Sequence, residues 1–317
     1  MAQLSDRSLS ELDLTAADQS RGFDLAFTWV VQSLALATVA VLFWIGWVIA
    51  RQAWPAIEQF GWGFLRSQDW DIGLLMFGAL PYLYGTIVSS AIALLIAVPA
   101  GLAVALVTSE NFLPLSVRSS LAFVVELIAA IPSVIVGLWG IFVLLPFLLP
   151  IGQWLNHRFG WLPPFSTEPF GPGLLPAGLI LAVMVLPTMA AISREVLIAL
   201  PTELRTASGA LGATRWETIF RVMLPSGLTG LLGAMTLALG RALGETMAVV
   251  MVIGNSPILS WSLLDPASTI PSVLATQFAE ALDALHIGAL MYLALILFVV
   301  TLIVNMAAVL LVRLLRH

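Results

Sequence analysis

The sequence predicts an all-α membrane protein that crosses the bilayer six times. Three observations carry that prediction. The chain is 60% hydrophobic, with 10% charged residues and a mean hydropathy of +1.02; soluble domains sit nearer half apolar and a quarter charged. Six stretches reach the roughly 20 apolar residues that a spanning helix needs: 27–50, 82–107, 117–148, 173–193, 227–254 and 286–312. The connections between them are marked by proline, glycine, tryptophan and charge.

Composition also excludes several functions. There is no cysteine, so neither a disulfide framework nor a thiolate metal site is available. There is no lysine, and all 13 basic residues are arginine. The phosphate-loop pattern GxxxxGK[ST] requires a lysine, so the chain does not hydrolyse ATP by that route. His157, His286 and His317 are isolated and lack metal-ligand spacing. With no HExxH, nucleophile elbow or strand-placed GxGxxG, we expect no enzyme active site and no cofactor bound by this chain. Few charges lie outside the loops, which argues against nucleic-acid binding.

Residues 1–24 (MAQLSDRSLSELDLTAADQSRGFD) are polar and acidic, and their composition reads as a disordered cytoplasmic tail. They lack the basic start and short apolar core of a secretory signal. Residues 25–81 hold the first span and an outer loop rich in aromatics: Trp54, Phe60, Trp62, Phe64 and Trp70. Tryptophan favours the bilayer interface, so amphipathic segments are expected to lie there. In the second span, Thr86, Ser89 and Ser90 are either hydroxyls lining a path or small residues that let helices approach.

The third stretch contains Pro132, Gly137, Gly140 and Pro146 in AAIPSVIVGLWGIFVLLP. It reads as one broken helix, or as a helix plus a partly re-entrant piece, which membrane depth tolerates only under protein cover. Two crossings here would put the four-arginine connection 194–226 outside. With six spans, Arg7, Arg21, Arg118, Arg194, Arg205, Arg215, Arg221, Arg313 and Arg316 share one side, against Arg51, Arg66 and Arg158 on the other. The positive-inside rule assigns the first group, and both termini, to the cytoplasm. The outer loops then carry a net charge of −4, with Glu58, Asp69, Asp71, Glu168, Asp265, Glu280 and Asp283 outweighing three arginines. Such a face does not steer free anions inward; it suits a cation, or a substrate handed over by another protein.

Residues 194–226 read REVLIALPTELRTASGALGATRWETIFRVMLPSG. The pattern predicts two short helices joined near Gly212, with Thr202 or Ser208 as a cap. They form either a knob that docks on a partner or a solvated connector.

Within it, Ala207 to Pro225 (ASGALGATRWETIFRVMLP) resembles the EAA loop of ABC-transporter permeases: Glu-Ala-Ala, three residues, Gly, nine residues, an aliphatic residue, any residue, Leu and Pro. Gly212, Val222, Leu224 and Pro225 fit that spacing, and Ala207 holds the middle alanine. Thr206 stands where the family has glutamate and Ser208 where it has the second alanine, while Glu203 lies one turn earlier. Five longer pieces are similar to the phosphate-importer branch, and to its C-type permease more than its A-type sister. They are LYGTIVSSAIALLIAVPAGLAVA (83–105), ELIAAIPSVIVGLWG (126–140), LPTMAAISREVLIALP (186–201), GRALGETMAVVMVIGN (240–255) and STIPSVLATQFAEA (268–281).

The resemblance implies a type I ABC importer permease fold over 82–312, with a coupling loop at 198–225. It implies a bacterial inner-membrane location and four kinds of partner: a second permease subunit, an ATPase dimer that uses the ATP, an external phosphate-binding protein and membrane lipid. It implies that Thr206, Ala207, Ser208, Gly212 and Arg215 belong to the surface that docks on the ATPase. Rival readings are a permease for another oxyanion, such as sulfate or molybdate, and a self-sufficient secondary transporter. No inverted repeat of the kind common in the latter is visible.

The fifth span then acquires a chemical reading. Arg241 and Glu245 lie within it. Burying an ionisable group there costs at least ~2.5 kcal/mol, so it marks a functional candidate. Four residues apart, the two would share one helix face about 6 Å apart along the axis. Arginine before glutamate is the weaker order for an isolated helix. A guanidinium can bind two oxyanion oxygens at once, and a carboxylate can accept from a protonated phosphate hydroxyl. The expectation is that Arg241 meets the anion and Glu245 holds the arginine when the path is empty; the alternative is a static packing pair. Ser133, just past the Pro132 break, is a further path candidate, and Glu126 either faces a cavity or packs.

Overall fold

The computed structural model describes residues 2–315. Arg316 and His317 lie outside the described residues, as do the side chains of Arg7 and Arg21. The described helices are α1 (Ala2–Phe60), α2 (Leu80–Ser109), α3 (Leu115–Ala130), α4 (Ser133–Trp139), α5 (Leu145–Phe159), α6 (Leu174–Ile198), α7 (Thr202–Ala210), α8 (Arg215–Thr218), α9 (Leu224–Gly244), α10 (Met247–Ile253), α11 (Ile270–Gln277) and α12 (Ala284–Leu315). Six helical stretches are long and apolar enough to cross a membrane: 26–65, 80–109, 133–159, 174–198, 215–244 and 284–310.

The chain divides into two compact units, Met1–Arg51 and Gln52–His317. The first is helical throughout its described part. This corrects the reading of the polar start as disordered. Between residues 2 and 21 there is neither proline nor glycine, and extending a helix already nucleated by its apolar part needs no new nucleus. From Phe27 to Trp47 its large apolar side chains, including Trp29, Leu36, Phe43 and Trp44, are exposed. On a helix of spanning length, such a surface belongs against lipid or another chain.

The second unit is built on close helix packing through small residues. On α2, Ala93, Ala97, Gly101 and Ala105 recur every fourth position, on one face, and all are buried. A Cβ at Gly101 would lie 2.8 Å from Met189 Cγ and 3.2 Å from the Ala190 backbone nitrogen, both on α6. Small residues at this spacing let two backbones approach, which is how membrane helices gain contact where lipid supplies no hydrophobic drive. On α9, Ala234, Ala238 and Ala242 form a similar buried row, packed with Val185 and Met189 of α6. Thus α6 lies between α2 and α9, and more than half of its core window is buried.

The third stretch is one helical span broken from a preceding helix. Pro132 cannot donate a backbone hydrogen bond, and Ile131 before it is extended (φ −69°, ψ 127°). Past the break, α4 passes through a π-turn at Gly140–Leu144 into α5. Gly137 and Gly140 lie against α10, where added Cβ atoms would meet Ala248, Met251 and Val252.

The aromatic loop after the first span is more tightly folded than an interfacial segment. Trp54 and Trp62 are exposed, but Phe64 and Phe77 are buried with Tyr82, Ile270 and Leu290. Phe64 stacks on Tyr292 with centroids 4.5 Å apart, and Trp70 Nε1 donates to Gln277 Oε1 at 2.9 Å. Thr86, Ser89 and Ser90 are buried in packing rather than lining a path. The Thr86 hydroxyl donates to Tyr82 O at 2.7 Å and accepts from Ile270 N at 2.9 Å, tying the start of α11 to α2.

Candidate functional site

Arg241 lies on the last turn of α9, partly buried beside α6. Its Nη1 donates to Thr188 Oγ1 at 3.0 Å, and no carboxylate among the described residues lies within 4.0 Å of the guanidinium. A cation near a helix C-terminus is favoured by the backbone dipoles there. Among the described residues the guanidinium makes no second hydrogen bond.

Glu245 does not hold Arg241, contrary to the spacing argument. The helix ends at Gly244, and Glu245 is extended (φ −68°, ψ 125°). The i,i+4 geometry requires an unbroken helix between the two residues, and that helix stops one residue short. The place expected for the glutamate is taken by a neutral hydroxyl from α6. Thr188 was not foreseen because it lies 53 residues away in sequence and carries no charge.

Ser133 is the first residue of α4, partly exposed, directly after the Pro132 break. Since α4 packs along α10, the breaks at Pro132 and at Gly244–Thr246 belong to touching elements. Glu126 is exposed on α3 and lines a small cavity with Thr108, Arg194 and Glu195.

Only the first of the two short helices expected stands alone, as α7. The second, α8, runs on through a π-turn at Ile219–Met223 into α9 as the first turn of the fifth span, and Gly212 lies at the turn between α7 and α8 in the left-handed region (φ +82°). Neither Thr202 nor Ser208 caps a helix. Pro201 precedes α7 without a side-chain cap, and Thr214 caps α8 in a capping box with Glu217. The readable signal was Thr-x-x-Glu at 214–217. Ser208 instead faces inward, its hydroxyl 2.9 Å from that of Thr218, closing α7 onto α8. Thr206 and Ala207 are exposed, and Leu211 beside the turn is 89% exposed. Arg215 Nη1 donates to Asn111 O at 3.1 Å, and its guanidinium carbon sits 5.5 Å from the Phe112 ring centroid.

The knob therefore includes the α2–α3 turn, Glu110–Pro114, which reads in sequence as a plain connector. Glu110 pairs with Arg205 at 2.9 Å. Arg118 holds the end of α2, donating to Thr108 O, Ser109 O and Asn111 Oδ1 at 3.2, 3.0 and 2.6 Å. Beneath these contacts Ala105, Leu197, Ile219 and Met223 form a buried cluster.

Six span-length helices, with the short helix α7 and its glycine turn between the fourth and fifth, make a multi-pass membrane protein. The chain belongs to the family of binding-protein-dependent transport system inner membrane components, whose model matches residues 97–317. It is 41% identical over 286 residues to the phosphate transport system permease protein PstC of Mesorhizobium japonicum, covering 89% of this chain and 87% of that one. It is 40% identical over 310 residues to PstC of Xylella fastidiosa, covering 96% and 94%. Among solved structures it is similar to a bacterial alginate ABC transporter (TM-score 0.57, 18% identity, 90% and 94% coverage). A second likeness is to the MetNI methionine ABC transporter (TM-score 0.53, 20% identity, 77% and 97% coverage). The fold is that of type I ABC importer permeases.

Proposed function

We propose that this chain is the permease subunit of an ATP-driven phosphate importer. It forms the translocation path with a second permease subunit, receives phosphate from an external binding protein, and docks on an ATPase dimer. The relatives named PstC support the substrate. The observation that carries the site is Arg241, a cation inside the helix bundle held by a hydroxyl and free of carboxylates. A neutral partner leaves its charge available to an oxyanion. In this reading both termini are cytoplasmic, residues 1–24 precede the first span, and 82–312 form the transport domain. Thr206, Ala207, Gly212 and Arg215 belong to the docking surface, and Ser208 shapes it from within. Closure of the ATPases displaces the knob, and the helices rock the cavity between its two openings. Arg241 exchanges Thr188 for phosphate; Ser133 and Glu245, at the two helix breaks, border the path.

The test is uptake of labelled phosphate by the complete importer carrying Arg241→Gln or Arg241→Lys, at matched assembly. Loss of a charge-assisted hydrogen bond is worth about 1.5–3 kcal/mol, so Gln should lower uptake at least about tenfold. Lysine should recover only part. Normal uptake in both variants removes Arg241 from the path. Uptake without any ATPase favours a secondary transporter, and sulfate competing as well as phosphate favours a different oxyanion.

A further inference from the structure

The Arg205–Glu110 pair is placed differently from an ordinary surface ion pair. Its side chains are only 27% and 13% exposed. The same Nη2 atom that meets Glu110 also donates to Leu197 O at 2.9 Å, in the last turn of α6. One guanidinium on α7 therefore joins the carboxylate of the residue that ends α2 and one carbonyl in the last turn of α6, of the kind that lacks an intrahelical partner. Arg215 adds a second link, from α8 to Asn111 O, and Trp216 packs on Phe112 with centroids 5.5 Å apart. Arg118 fastens the same turn to α3 through Asn111 Oδ1, and the end of α2 through Thr108 O and Ser109 O. Three arginines, on α7, α8 and α3, thus each reach the short Glu110–Pro114 turn.

We propose that this turn is a second transmitting element of the knob. Arg205 and Glu110 are the positioning pair that carries displacement of α7 and α8 into α2. The proposal rests on the reading that α7 and α8 dock on an ATPase. Its chemistry is electrostatic and partly desolvated, so neutralising either partner strands the other. Because α2 and α6 are tightly packed, a displacement entering at Glu110 and at Leu197 moves both helices together. Without the pair, α2 is moved only indirectly, through its packing on α6.

The test uses the complete importer reconstituted in liposomes, with phosphate uptake and ATP hydrolysis measured together. The variants are Glu110→Gln, Arg205→Gln, their double, and the exchange Glu110→Arg with Arg205→Glu. Each single variant should lower uptake per ATP by about tenfold, within the usual range of coupling energies, while hydrolysis continues. The double variant should be no worse than either single, and the exchange should recover most of the ratio. Unchanged uptake per ATP in the singles overturns the proposal. So do independent losses that multiply in the double, an exchange as impaired as the singles, or loss of uptake and hydrolysis together because the ATPase no longer binds. A wild-type importer whose uptake does not depend on ATP would sink the docking reading itself, and that control separates the two failures.

Discussion

Gly212 offers a clean test of the knob, because the structure separates its two sources of cost. Its φ is +82°, yet a Cβ built there meets nothing within 4 Å. A substitution therefore strains the backbone without a clash. Holding an L-residue in the left-handed region costs roughly 1–2 kcal/mol, so Gly212→Ala should depopulate the docking shape about 5- to 30-fold relative to wild type. Asparagine tolerates this region better than most residues, so Gly212→Asn should lose less. A β-branched residue is a strong outlier there, and Gly212→Val should lose most. Gly209, three residues earlier, is the control. It also has open space around a Cβ, but it is helical, without positive φ. Gly209→Ala should preserve or slightly stabilise the knob, by about 0.4–1 kcal/mol. The assay is copurification of the ATPase subunit with this chain, followed by uptake in the assembled complex. If Gly212→Ala equals wild type, or if Val is no worse than Asn, the left-handed turn is not what the docking shape requires.

Two further substitutions test contacts inside the bundle. Thr86→Val keeps shape but removes the acceptor for the buried Ile270 N–H. Leaving that donor unsatisfied costs about 1–3 kcal/mol and should lower the melting temperature by about 2–4 °C per kcal/mol. Thr86→Ser should melt like wild type, and equal melting of Val and wild type would show the bond to be dispensable. Thr188→Val removes the hydroxyl that Arg241 must give up for phosphate, so the assembled importer should bind phosphate about tenfold more tightly, the value of one hydrogen bond to a charged group, while Thr188→Ser keeps the wild-type affinity. Equal phosphate affinity in Val and wild type would rule out Thr188 as the resting partner of the arginine.

The large-scale organisation was legible because it depends on properties local to the sequence. Span length and hydropathy located the six crossings, and Gly212 between two amphipathic segments located the turn. The site was less legible, since it depends on where a helix stops and what lies across from it. Four-residue spacing places Arg241 and Glu245 on one face only while the helix continues, and Gly244 ends it between them. Thr188 is an unremarked hydroxyl in an apolar run, and only the packing of α6 against α9 brings it to Arg241. The α2–α3 turn gave no signal of belonging to the knob because its partners, Arg205 and Arg215, lie about a hundred residues later. The capping box at Thr214 was readable and was missed in favour of Thr202 and Ser208.

One helix, α6, carries both ends of the proposed mechanism. Thr188 holds the arginine, and Leu197, nine residues later, accepts from the knob. Nine residues of helix rise about 13.5 Å, so the two attachment points are fixed to a single short rod. Pro187 sits one residue before Thr188 and removes the hydrogen bond that would stiffen the helix there. The proposed mechanism therefore makes the segment from Leu197 to Thr188 the stiffer part of α6, with the weaker point at Pro187. In that mechanism α6 is thus a direct arm from the knob to Arg241, and the Arg205–Glu110 pair adds a parallel link into α2.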